Sequence, residues 1–201
     1  MDRYLALELA STIRHDGDGG VADDLADVDG LAGWVRAQAA LLDAVVDPRG
    51  FVANDAALAE VLGVRRAVRA LFARAVRPGP PSPADAHRLL PQERALAVLN
   101  EAAERAAFVP RLVWAPDDEA PSVSYRSAEP DPAVRLAAAL ATAAIDFLSG
   151  PHREKLRACT APRCVRYYLK THGRQEWCKP SCGNRARVAR HYQRHKGSPA
   201  G

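Results

Sequence analysis

Four cysteines, Cys159, Cys164, Cys178 and Cys182, are all that the 201-residue chain contains, and they fall within 24 consecutive positions. Their spacing is C-x4-C, thirteen residues, then C-x3-C. Two close thiolate pairs joined by a short insert are what tetrahedral zinc requires: each pair closes one tight turn, and the insert brings the second pair back to the first. Two disulfides, or four unrelated buried thiols, are the alternatives. Four thiolates fill the tetrahedron and leave no position for water, so the expectation is one structural Zn2+ rather than a hydrolytic site. His172, between the pairs, is a spare donor.

Compartment decides between metal and disulfide. The opening MDRYLALELA has no basic region followed by a long apolar run, so no secretory signal is read there. The longest low-charge run, residues 136–145, is mostly alanine and too short for a bilayer. The expectation is a cytoplasmic chain with no membrane segment, whose reduced thiols bind zinc.

Around the cysteines, residues 165–170 have strand composition, with Tyr167, Tyr168 and Leu169. Residues 171–174 form a turn with Gly173 near its tip, and residues 175–178 return, which predicts a β-hairpin. Pro180 suits the first turn of a helix, and Cys182 sits just behind it. A hairpin followed by a helix whose first turn carries the last ligand is the treble-clef pattern. At about 100° per residue, Arg187, Arg190, His191 and Arg194 share one face of the helix expected over 181–195. Val188, Ala189 and Tyr192 share the opposite face, with Arg185 beside them. The apolar face is expected on the hairpin, and the basic face toward solvent or a polyanion.

Charge divides the chain at the same place. Residues 151–201 hold 13 Lys plus Arg against Glu154 and Glu176, a net +11, whereas residues 1–150 hold 15 arginines, no lysine and 22 acids, a net −7. The change of sign marks a domain boundary, and a compact +11 segment attracts polyanions. A merely solvated basic tail is the competing reading, but tails do not carry a four-cysteine framework.

The first 150 residues, in a chain that is 48% hydrophobic, supply a core. Spacing predicts helices over 2–14, 29–46 and 54–76, the last N-capped by Asn54. Leu58, Val61, Leu62, Val68, Leu71 and Phe72 point inward, and Arg65, Arg66, Arg69 and Arg74 line the outer side in exposed pairs with acids. PGPPSP at 78–83 reads as a rigid exposed linker, with Ser82 and Pro83 capping a helical segment that Pro91 interrupts and that runs to about 108. Residues 110–127 read as a second β-hairpin, which is marginal alone and must pack on the helices or add to a partner's edge. A last helix over 131–149 stops at Gly150-Pro151. The fold class expected is mainly α with a small β-hairpin: a helical domain over 1–150, then a treble-clef-like zinc finger over 151–201.

At Cys182-Gly183-Asn184-Arg185 the chain reads CGNR, and here it resembles the CGNR zinc-finger family. RACTAPRC at 157–164, Trp177 before the third cysteine and the basic helix after CGNR fit the same resemblance. LALELAST at 5–12 and PRLVW at 110–114 resemble the ABATE domain that precedes such fingers; members carry Asp and Asn where Glu8 and Ser11 stand. The resemblance implies a bacterial transcription regulator in which a C-terminal finger binds DNA and the first domain senses a signal or sets the oligomer.

No G-x-S-x-G, H-E-x-x-H, G-x-G-x-x-G or Walker pattern occurs. The six histidines (15, 87, 152, 172, 191 and 195) cluster mainly with the basic segment, so an enzyme is not expected. The expectation is a regulator that grips duplex DNA through Arg187, Arg190 and Arg194, with Lys179 and Lys196 on phosphates and Arg185 beside them. One finger reads few base pairs, which favours a homodimer. The alternative is a zinc-stabilised RNA- or protein-binding module, with Tyr167, Tyr168 and Trp177 stacking on bases instead of forming the finger's own core. Trp34, Trp114 and Arg126 are candidates for a ligand pocket in the first domain.

Overall fold

The computed structural model describes residues 3–16, 20–85 and 88–196, with backbone alone at 195 and 196. Leu5 and Leu9 are one turn apart on helix α1 (Leu5–Ala10) and buried. The helix stops sooner than spacing predicts. β-branched Thr12 and Ile13 are poor helix continuers, Thr12 Oγ1 donates to the Leu9 carbonyl at 2.8 Å, and Ile13 opens strand β1 (Ile13–His15), antiparallel to β2 (Val21–Asp23). The tip of this hairpin, at Gly17, Asp18 and Gly19, lies outside the described residues. The single helix expected over 29–46 is two: α2 (Val28–Ala37) and α3 (Ala39–Leu42). They part at buried Gln38, whose side-chain oxygen accepts from Arg3 Nη2 at 2.6 Å.

Helix α4 (Asp55–Ala75) starts where predicted: the Asn54 side chain accepts the Ala57 N–H at 2.8 Å. With α5 (Gln92–Glu104) and α6 (Pro132–Ser149) it forms the body, and α1 lies against α6. Alanines at 137, 138, 141 and 144 of α6 are buried and let the neighbouring helices approach closely. By length and composition α6 would reach across a membrane; here it is a core helix with Leu136, Leu140 and Phe147 inward. Phe72 and Phe147 meet at 5.2 Å between ring centroids.

Two arginines depart from expectation. Arg65 and Arg69 are buried, at 6% and 3% exposure, not on the outer side. They fall on the stripe of Val61, Val68 and Phe72, and each meets a carboxylate, Arg65 that of exposed Asp23 and Arg69 that of buried Asp85. The segment 78–83 also departs: Ser82 is fully buried and opens a short 3-10 turn, Pro83–Asp85, instead of capping an α-helix.

The second hairpin is present, β3 (Val109–Val113) against β4 (Ser122–Arg126), with Leu112 opposite Val123. It does not bury its apolar side chains: Leu112 is 77% exposed and Trp114 62%. One backbone bond, Tyr125 N–H to the Ala44 carbonyl at 3.2 Å, ties it to the body.

After a 3-10 turn, Pro151–Lys155, strand β5 (Leu156–Ala158) pairs antiparallel with β6 (Tyr167–Leu169), and helix α7 (Pro180–Lys196) follows. The return strand expected over 175–178 is therefore replaced by one that precedes the first cysteine. The bonds Cys159 N–H to Arg166 O (2.9 Å) and Lys170 N–H to Lys155 O (2.8 Å) extend this pairing at both ends. Residues 171–175 instead close a turn, in which the Gln175 side-chain oxygen accepts the Thr171 N–H at 2.7 Å.

Candidate metal centre and basic helix

The first cysteine pair occupies the bend between β5 and β6. Closing that bend places Arg163 in the left-handed region, φ 63°, a conformation a side chain resists. Cys164 N–H then bonds the Ala161 carbonyl at 3.0 Å and the Cys164 sulfur faces back toward Cys159. Cys178 precedes α7, and the first turn of the helix brings Cys182 in, its N–H on the Lys179 carbonyl at 3.0 Å.

All four sulfurs lie within 4.8 Å of one another. Cys164 and Cys178 are 3.7 Å apart and Cys178 and Cys182 3.5 Å. Zinc–sulfur bonds of about 2.3 Å set tetrahedral edges of about 3.8 Å, whereas a disulfide needs about 2.05 Å. The cysteines are unbridged, and the separations fit the metal. Hydrogen bonding from Cys159 and Cys178 holds the Cys164 thiol down, at about 3. The bonds with Cys159 and Cys164 push the Cys178 thiol up. Sulfurs this crowded share protons, and a divalent cation takes the place of those protons. The four cysteines are the ligand set of one structural zinc ion. His172 is exposed and outside the cluster.

Four thiolates around a dication carry an excess of two negative charges. Arg185 Nη2 lies 3.2 Å from the Cys182 sulfur and donates toward it. Arg185 is half-buried there, turned to the metal site rather than outward. Tyr168 packs among the cysteines and donates to the Glu176 carbonyl at 2.9 Å. Trp177 covers the cluster. A Cβ at Gly183 would stand 3.1 Å from the Trp177 ring, so the glycine serves close approach to that ring rather than to a sulfur.

The helix phase differs from the one read from apolar residues. Cys182, Gly183 and Ala186 face the finger, and the Arg190 guanidinium sits 5.6 Å from the Trp177 ring centroid. Val188 and Tyr192, expected to pack, are 54% and 64% exposed. The cause is the metal: the Cys182 sulfur must point at the cluster, and positions one turn on follow it. Arg187, Arg190, Arg194 and Lys179 are exposed, and Arg187 Nη2 donates to the Asn184 side-chain oxygen. The Lys196 side chain, like that of His195, lies outside the described residues.

The finger is joined to the body by a polar cluster that no motif announced. Arg69 forks onto Asp85, Nε at 2.7 Å from Oδ1 and Nη2 at 3.0 Å from Oδ2. The Tyr167 hydroxyl donates to the same Oδ2 at 2.7 Å, and Ser82 Oγ donates to the Val165 carbonyl at 2.8 Å. Tyr167 also packs edge-on to Phe72, centroids 5.5 Å apart. Burial, then the Asp85 charge, push its phenol above the usual 10.0. The one sequence signal for this cluster is an arginine pair, four residues apart, on an apolar helix stripe. Trp34, Trp114 and Arg126 are not brought together: Trp34 is in the core, and the other two are exposed on the second hairpin.

Residues 4–151 match the ABATE family, whose description is "Putative stress-induced transcription regulator", and residues 155–195 match the CGNR zinc finger. A comparison with curated proteins finds no match. With a four-sulfur site in place, and nearly three quarters of its length matched by the first of these, the chain belongs to the ABATE family and carries a CGNR zinc finger behind that domain.

Proposed function

We propose that this protein is a cytoplasmic bacterial regulator that binds duplex DNA through α7, with zinc as a structural ion and no catalytic step of its own. The observation that carries this reading is the exposure of Arg187 and Arg194 on a helix anchored at Cys182, with exposed Lys179 just ahead of its start. The −7 of the first 150 residues turns the body away from a polyanion while the +11 segment faces it. Guanidinium groups fork onto phosphate and guanine edges in a way ammonium groups cannot. Asn184 orients one of them through its bond to Arg187. Against the RNA alternative, two of its three stacking rings are withdrawn: Tyr167 and Tyr168 are 2% and 8% exposed, and Trp177 alone is part-exposed. Anisotropy titrations of a duplex at several salt concentrations test the assignment. R187A/R194A is expected to lower the slope of log K against log salt by about 2, at roughly 0.9 per lost phosphate contact. An unchanged slope rejects it, as does equal or tighter binding to structured RNA.

We also propose a homodimer built on the β3–β4 hairpin. Arg126 stands at its base, Arg111 midway along β3, and Asp117, Asp118 and Glu119 at its tip. Two-fold packing of such hairpins sets each acidic tip against the other's basic base while covering Leu112 and Trp114. Two copies of α7 then double the length of duplex read.

A further inference from the structure

A cavity of about 630 Å3 lies between the β1–β2 hairpin, α4 and the Pro83–Asp85 turn. That volume is in the usual range for small-molecule sites, roughly 300–1,000 Å3. Two of its arginines are engaged: Arg65 forks onto Asp23, at 2.5 and 2.7 Å, and Arg69 onto Asp85. Arg66 and Arg88 line the same cavity, both are exposed, and neither guanidinium has an ion-pair partner among the described residues. Four guanidiniums against two carboxylates leave a net charge of two positives on the wall. The rest of the lining is apolar, with Ile13, Val21 and Leu89; Val21 is 52% exposed and Leu89 38%. Exposed apolar side chains beside two cations that have no ion-pair partner among the described residues describe a ligand with an apolar body and an anionic end.

The geometry points to a binding site for a small organic monocarboxylate, its carboxylate on Arg66 and Arg88 and its body on Val21 and Leu89. The apolar lining favours a ligand with an apolar body over a purely polar anion such as phosphate. The site is separate from α7, so it stands whether or not α7 binds DNA. It shares Arg69 and Asp85 with the cluster that holds the finger, so an occupant leans on the residues that bond Tyr167.

Isothermal titration of the zinc-loaded full chain with benzoate and hexanoate tests the proposal, with benzamide and inorganic phosphate as controls. At least one carboxylate is expected to bind, and benzamide to bind about tenfold or more weakly than benzoate, the loss of one hydrogen-bonded charge. R66A and R88A are each expected to weaken the carboxylate by a similar factor, and R66A/R88A to abolish it. Both residues are exposed, so an unchanged melting temperature certifies the variants as folded. The proposal is overturned if neither carboxylate binds, if benzamide or phosphate binds as tightly, or if R66A/R88A binds like the parent.

Discussion

Asp85 accepts from Arg69 through both oxygens and from Tyr167 through one, at 5% exposure. Removing one partner of a buried ion pair strands the other, at about 3–5 kcal/mol. D85A should therefore lose stability on that scale in urea unfolding, and Tyr167→Phe, which removes the bond to Asp85 and the one the hydroxyl accepts from the Ser82 N–H, about 1–3 kcal/mol. Equal losses from the two would contradict the geometry. Asp23 gives a pH signature. Burial raises its carboxyl, but bonds from Arg65 outweigh that and hold it below the ordinary 3.8. A lowered carboxyl stabilises the fold above its ordinary value, and this contribution disappears as pH falls through the lower folded value. D23N should thus be less stable than the parent at neutral pH and converge on it in acid, as followed by denaturation at a series of pH values. Arg65 and Arg69 themselves were legible by spacing, since they share a stripe with Val61, Val68 and Phe72. Their charge argues for the surface, and it is the partner carboxylates Asp23 and Asp85, distant in sequence, that reverse the argument.

At the scale of elements, helices whose caps and apolar stripes agree are legible end to end: Asn54 before α4 and Asp131 before α6 both accept the N–H groups expected of caps. Elements whose packing partner is a metal or a remote strand are not. The phase of α7 is set by Cys182, and β6 chooses β5 because the cysteine bend joins them, where a nearby glycine turn suggested a partner downstream. The β3–β4 hairpin was legible as a hairpin, but its exposure was not, because alternation shows two faces without showing what covers them. Replacing Leu112 and Trp114 with serine should shift sedimentation from dimer to monomer without lowering the melting temperature of the monomer. A parent that sediments as a monomer at high concentration would defeat the dimer.

Across the whole molecule, charge separates the chain at residue 150, yet the hydrophobic core includes Leu156 and Tyr167 from beyond that point. Stripping zinc should therefore loosen more than the finger. Calorimetry with a strong chelator should show the main transition falling, by roughly 2–4 °C for each kcal/mol lost. Two transitions, with only the smaller one sensitive to the chelator, would mean the halves fold independently. Mild acid should act in the same direction, because the thiols must lose their protons to hold the ion.

Tyr167 is rooted in one half of the chain while its neighbour Tyr168 lines the sulfur cluster of the other. A module wired in this way does not travel alone. Fused to a foreign protein, residues 155–196 would arrive with a phenol and a carbonyl deprived of their hosts, and a working chimera would have to import Arg69, Ser82 and Asp85 as well. Recombination that swaps fingers between such proteins as loose cassettes should yield misfolded offspring unless those three side chains travel with them.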